Sequence, residues 1–211
     1  LKMTLKTIEF AKERQAIPFA VFKPTGLGRF ELFEKLGENQ TLSESEKEEW
    51  NKVVNRFDLI CAEAHKKNVS LLIDAEESWM QDAADDLVTQ MMQKYNKEKA
   101  IVYNTLQMYR HDRLDYLKKL HAQAKEEGFF IGMKIVRGAY MEKENARAEE
   151  KGYPSPICAS KEATDVNYDA AIQYMIDNLE VLNIYAGTHN ELSSYKLIDL
   201  ISINIVKNKT Y

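Results

Sequence analysis

The feature that most constrains this chain is an alternation. Five short apolar runs are separated by segments long enough to be helices. The runs are Ile17–Lys23 (IPFAVFK), Val69–Asp74 (VSLLID), Ala100–Asn104 (AIVYN), Phe129–Arg137 and Val181–Ala186 (VLNIYA). Helices are expected over 4–15, from Ser43 to Lys67, over 78–94 and 112–127, to about Glu150, over 165–178 and over 192–201. Ser43 and Glu46 have the spacing of a capping box, which fixes the start of the longest of these. Ser202–Val206 reads as a sixth strand or a frayed tail. Strand–helix alternation of this kind predicts a parallel α/β sheet with helical crossovers. A doubly wound sheet and a barrel both satisfy that order. GLGRFE after the first run is not GxGxxG, and no acidic residue closes a second strand in the expected register, so the dinucleotide fingerprint of a doubly wound sheet is missing.

The fourth run carries the densest chemistry. Phe130 to Glu144 reads FIGMKIVRGAYMEKE, an apolar strand that stops on Gly138 and Ala139, meets Tyr140 and turns into a charged helix. Lys134 and Arg137 sit near its end. Two cations, a small-residue turn and an aromatic point to an anionic or flat ligand. The plain alternative is a solvated strand end followed by a turn.

Polar groups collect at the other strand ends as well: Lys23 and Thr25, Asp74 with Glu76 and Glu77, Gln107 and Tyr109, then Thr188, His189 and Asn190. In a barrel these ends share one face, the face that carries active sites. Glu76 and Glu77 read as helix-dipole partners at the start of a helix. Asp74 and Lys23 directly end buried runs. His65, His111 and His121 read as surface residues on helices, Tyr153 and Tyr168 as packing residues, and His189 as the histidine with a role. No triad, metal cluster or catalytic carboxylate pair assembles from these residues. Cations, amides, hydroxyls and one acid suit a large anionic cofactor that carries the chemistry itself.

Composition excludes several classes. The 211 residues are 45% hydrophobic and 29% charged with a net charge of −4, ordinary for a globular domain and unsuited to nucleic acid. Cys61 and Cys158 read as free thiols in a reducing compartment, without metal-ligand spacing. No apolar run reaches the ~18 residues of a membrane span, and the first residues are too charged for a signal peptide. Position 1 is Leu, which fits a chain that begins inside a longer protein.

The strand-end motifs resemble the proline dehydrogenases, flavoenzymes with a (βα)8 TIM-type barrel. The matching stretches are VFKPTGLG, LLIDAEES, YNTLQMY, KIVRGAYMEKENARAEEKGYPSPI, ATDVNY and GTHN, in the family's order from about Phe19 to Asn190. KIVRGAY followed by ExxRAxExGY is the most specific of them, and the wording is closer to the single-function, mitochondrial-type branch. The resemblance implies FAD as cofactor, L-proline as substrate, 1-pyrroline-5-carboxylate as product and a quinone as acceptor. It implies that Lys23 meets the substrate carboxylate, that Asp74 is the active-site aspartate and that Lys134 is the basic residue near the flavin's reactive nitrogen. Tyr140 would wall the substrate pocket. Ala75, Gln107, Arg137, Gly138 and Ala139 would contact the flavin, and Thr188, His189 and Asn190 its phosphate and ribose region. Met141 departs from the tryptophan of many bacterial members.

One departure is larger. The family has a strand before AVFK, and it continues past GTHN with two strands and a helix bearing an Arg-Arg pair that clamps the substrate carboxylate. Residues 1–211 contain no such pair. The expectation is therefore one partial barrel domain, with five to six of the eight strands. A cytoplasmic or mitochondrial location fits, with no transmembrane segment and room for a peripheral membrane contact. The alternatives are a catalytically silent truncated module and, more remotely, an unrelated barrel enzyme acting on a phosphorylated substrate through the helix end at Thr188.

Overall fold

The structure, a computed structural model, describes residues 1–14 and 16–208, with side chains through Ile205. Among the described residues there are eight α-helices and five strands, with one helix in each crossover except between β1 and β2 and between β4 and β5, which hold two. The strands are β1 (Phe19–Phe22), β2 (Ser70–Ile73), β3 (Val102–Gln107), β4 (Ile131–Val136) and β5 (Leu182–Ala186), in one sheet in chain order. β1 pairs parallel with β2, Phe22 opposite Ile73, and β2 pairs parallel with β3. The parallel α/β expectation holds.

The chain forms two compact units. The first comprises 1–105 and 127–132, the second 106–126 and 133–211. Helices α1 (Lys2–Ala11), α2 (Phe30–Gly37), α3 (Glu44–Lys67) and α4 (Ser78–Tyr95) belong to the first. α3 starts where the sequence says. The Ser43 side chain accepts from Glu46 N, and the Glu46 carboxylate accepts from Ser43 N. Val53, Phe57, Ile60, Cys61 and Ala64 recur at helical spacing and are all 0% exposed, so one stripe of α3 is sealed. Each large side chain sealed this way contributes about 1.5–3 kcal/mol. All six residues of β3 are buried, as in a strand covered on both faces.

Asn96, just past α4, is 0% exposed and does the work of sheet pairing with its side chain. Its Oδ1 accepts from Ile101 N and Val102 N, and its Nδ2 donates to Val102 O and Phe130 O. The starts of β3 and β4 are thereby held by one residue.

The second unit contains α5 (Arg113–Glu127) up to Glu126, α6 (Met141–Lys151), α7 (Lys161–Ile176) and α8 (Glu191–Asn208). α6 ends on Gly152 with φ +72, and α7 starts on Ser160, whose side chain accepts from Ala163 N. Three elements differ from expectation. α2 is a helix where none was expected. β3 runs to Gln107, three residues past the expected end at Asn104. Ser202–Val206 is neither a strand nor a frayed tail: α8 runs through it. Among the described residues no helix is long and apolar enough to cross a membrane, and no cluster of three or more His, Cys, Asp or Glu side chains could hold a metal ion.

Candidate functional site

In the first unit, β1 and β2 end together. Phe22 pairs with Ile73, and Asp74 N donates to Phe22 O at 3.0 Å, so Lys23 and Asp74 follow one another off adjacent strands. Lys23 is exposed and Asp74 half-buried, while Ala75 is buried behind them. Beyond Lys23 the chain makes a 3-10 turn, Pro24–Gly26. Thr25 N and Thr25 Oγ1 both donate to the Glu76 carboxylate, at 3.0 and 2.8 Å. Glu76 is only 6% exposed. Its role is structural, as its place near a helix start suggested, but its partner is Thr25; the residue capping α4 is Glu77, whose side chain makes no cap bond. Glu76 N donates to Gln81 Oε1, and Gln81 Nε2 and Asn104 Nδ2 both donate to Asp85 Oδ1. Thr105 Oγ1 donates to Ile73 O at 2.7 Å. Behind the Lys23–Asp74 strand ends lies a buried chain of polar side chains.

In the second unit, the RGAY turn is the organising element. Gly138 adopts φ +141, and a Cβ there would lie 2.4–2.5 Å from the Tyr109 ring, so only glycine fits. Gln107 Oε1 accepts from Ala139 N at 3.1 Å, which ties the end of β3 to the turn. The Arg137 guanidinium makes three directed bonds: Nε to Asp165 at 2.6 Å, Nη1 to Thr188 Oγ1 at 2.8 Å and Nη2 to Ser193 Oγ at 2.9 Å. It also lies 4.4 Å above the Tyr168 ring, whose phenol burial pushes up to about 12. Ser193 Oγ donates onward to Asp169, and Thr188 Oγ1 accepts from Asn190 N. Hydrogen bonds from Lys161 and then Arg137 hold the Asp165 carboxyl below its usual range, against a smaller opposing effect of burial.

A cavity of about 640 Å³ opens beside this turn, lined among others by Tyr109, Arg137, Gly138, Ser160 and Lys161. The start of α7 supplies backbone N–H groups at its edge, the usual setting for a phosphate.

The sequence-derived residues thus fall into two groups. Lys23, Asp74 and Ala75 meet in the first unit. Gln107, Arg137, Gly138, Ala139, Thr188 and Asn190 are linked in the second. Lys134 lies within β4, half-buried; Tyr140 is the N-cap residue of α6; His189 is exposed. Two histidine assignments change. His111 lies in the turn before α5. His121 is 5% exposed, with Nδ1 2.8 Å from Tyr174 Oη, and burial lowers its pKa. Its phase with Leu117, Leu120 and Ala124 on α5 was the available signal. Tyr168 is a packing residue, at 0% exposed, whereas Tyr153 is exposed.

A family model described as proline dehydrogenase matches residues 2–211. The chain belongs to the proline dehydrogenase family. Carbapenem antibiotics biosynthesis protein CarD of Pectobacterium carotovorum subsp. carotovorum is 34% identical over 195 residues, which is 92% of this chain and 50% of CarD. Proline dehydrogenase 1, mitochondrial, of Homo sapiens is 34% identical over 152 residues, 71% of this chain and 25% of the human protein. A crystal structure of a mutant of Bradyrhizobium japonicum proline utilization A (PutA) superposes with a TM-score of 0.81 at 19% identity, over 94% of this chain and 20% of that one. That likeness shows the fold, the TIM-type barrel class that the motif order implied. The proline dehydrogenase-family segment described here spans about half the length of CarD and about a quarter of the human relative.

Proposed function

We propose that the protein to which this chain belongs is an FAD-dependent proline dehydrogenase that oxidises L-proline to 1-pyrroline-5-carboxylate. The observation that carries the reading is the family match over residues 2–211. It favours an enzyme over a silent module. The donor set fits the cofactor. Arg137, Lys161 and the start of α7 border a cavity in the size range of ligand sites. Gly138 leaves the backbone bare at the turn, and Gln107 holds Ala139 N. When bound, FAD supplies the oxidant that takes the ring hydride.

The residues of the chain supply orientation and electrostatics. Lys23 pairs with the substrate carboxylate. Asp74, half-buried beside it, faces the cationic ring nitrogen. Lys134 places positive charge where the flavin gains negative charge, and Tyr140 walls the pocket. Gln107, Ala75 and the Arg137–Ala139 turn hold the flavin, with Thr188, His189 and Asn190 towards its phosphates and ribose. A quinone receives the electrons, through a peripheral membrane contact in a cytoplasmic or mitochondrial setting.

The test uses the full-length protein. Its flavin spectrum is expected to bleach with L-proline and not with other amino acids, and to recover with a quinone. A full-length protein without flavin overturns the reading. Lys134→Met is expected to keep flavin bound and to slow its reduction; equal reduction rates in mutant and parent would remove Lys134 from the assignment.

A further inference from the structure

We propose that Glu76 is a positioning residue that sets the distance between Lys23 and Asp74, and so the fit of the substrate carboxylate; this rests on the proline dehydrogenase reading of those two residues. The geometry is specific. Lys23 and Asp74 leave paired strands side by side, but the chain then leaves the sheet on both sides, through the short 3-10 turn Pro24–Gly26 after Lys23 and through the loop before α4 after Asp74, where strand pairing no longer fixes their spacing. Glu76 removes that freedom. One carboxylate oxygen accepts from Thr25 Oγ1 and the other from Thr25 N, across 51 positions of sequence. The residue two beyond Lys23 is therefore clamped to the residue two beyond Asp74.

The clamp is itself anchored. Glu76 N donates to Gln81 on α4, Gln81 and Asn104 converge on Asp85, and Thr105 Oγ1 holds Ile73 O, the carbonyl just before Asp74. Glu76 is 6% exposed, and hydrogen bonds to a buried carboxylate are the strong kind. A carboxylate at a helix start could stand in water at no loss. Here it faces inward, onto the turn that follows the substrate lysine. Glu76 touches neither the substrate nor the flavin in this scheme; it acts through Lys23 and Asp74.

The two donors define which replacement succeeds. A glutamine at 76 keeps both contacts, because its oxygen accepts from Thr25 N while its amide nitrogen donates to Thr25 Oγ1, a hydroxyl that also accepts. An alanine keeps neither.

The experiment uses full-length protein and a saturated five-membered-ring carboxylate that cannot be oxidised, whose binding is read from the flavin absorbance. Glu76→Ala is expected to weaken its affinity about 10- to 100-fold, the scale of a misplacement near 1 Å, with flavin content unchanged. Thr25→Val is expected to weaken it in the same direction, and the double variant to be no worse than Glu76→Ala alone, since both remove one clamp. Glu76→Gln is expected to bind within about 3-fold of the parent. If Glu76→Ala does not fold, Thr25→Val and Glu76→Gln carry the test. Parent-like binding by Thr25→Val and Glu76→Ala overturns the inference. So does Glu76→Gln binding as weakly as Glu76→Ala, which would make charge the cause. A parent flavin that ignores both proline and the ring carboxylate overturns the underlying functional reading, and this is seen before any variant is made.

Discussion

The two groups of strand-end residues are held by different physics. In the first unit, Lys23 and Asp74 are backed by Thr25, Glu76, Gln81, Asp85, Asn104 and Thr105, of which Glu76, Gln81, Asp85, Asn104 and Thr105 are 6% exposed or less. In the second unit, Arg137 is the hub. It and its partner Asp165 keep 21% and 28% of their side-chain surface, and Lys161, on the other oxygen of Asp165, keeps 72%. Buried hydrogen bonds resist salt and are expensive to interrupt, because the stranded partner stays dry. Partly wet ion pairs are weaker and screened. The first arrangement is suited to holding one geometry, the second to a binding surface whose grip varies with conditions.

The largest expected effect comes from breaking the buried chain at its centre. Asp85→Ala leaves Gln81 Nε2 and Asn104 Nδ2 without the acceptor they share, and is expected to reduce stability by about 2–5 kcal/mol, read by urea unfolding. A loss under ~1 kcal/mol would show that the bonds from Gln81 and Asn104 to Asp85 are worth no more than those of exposed side chains, and would dissolve the contrast.

Next is the second unit's turn. Gly138→Ala places a Cβ against the Tyr109 ring at a φ that side chains rarely adopt. It is expected to reduce stability by about 2 kcal/mol or more and to lower bound flavin. Unchanged stability with full flavin content would show the turn free to shift.

Asp165→Asn sharpens the comparison through pH. The folded carboxyl is held below its ordinary value by Lys161 and Arg137, so its stabilising contribution is present above the unfolded value, about 3.9. It is lost as pH falls from there through the lower folded value. The parent is thus expected to be more stable than the variant near neutrality, and the gap to close below about pH 4 and to shrink in 1 M salt. A gap that persists unchanged at low pH would mean the carboxylate charge is not what matters. Asp85→Ala is expected to show no such salt dependence.

The smallest expected effect is a reference point away from both groups. Ser43→Ala removes one side of the capping box and is expected to reduce stability by about 1 kcal/mol, without altering flavin or carboxylate binding.

Legibility in the sequence followed the range of the interactions. α3 was readable to the residue because its signals, Ser43, Glu46 and a stripe of apolar side chains, are local. Gly138 was legible as part of a small-residue turn, but the Tyr109 ring packed against it was not. α2 went unread because Arg29 at its start makes no side-chain cap bond and glycines bracket the segment; its helix is fixed by burying Leu32 and Phe33. ISINIV alternates like a strand, yet the helix running from Glu191 continues through it. Glu76 looked like a helix-start acid because nothing local marks a partner 51 positions away. The Gln81–Asp85 pair did leave a trace, two polar residues on the face of α4 otherwise made by Met80, Ala84, Leu87, Val88 and Met91. The KIVRGAY motif was readable for another reason: many residues in a fixed short order carry family information that no single contact does.

Asn96 has a consequence for how a chain of this kind can change length. One side chain bonds Val102 at the start of β3 and, 34 positions beyond Asn96 itself, Phe130 just before β4. The intervening stretch is thereby tied off at its base. Residues inserted near the exposed end of α5 would enlarge a loop whose ends stay fastened, and doubling such a loop adds only about 0.6 kcal/mol of closure entropy. A single added residue between Asn96 and Ile101 would instead shift the very groups that the amide reads. Insertions are therefore tolerable on one side of Asn96's embrace and ruinous on the other.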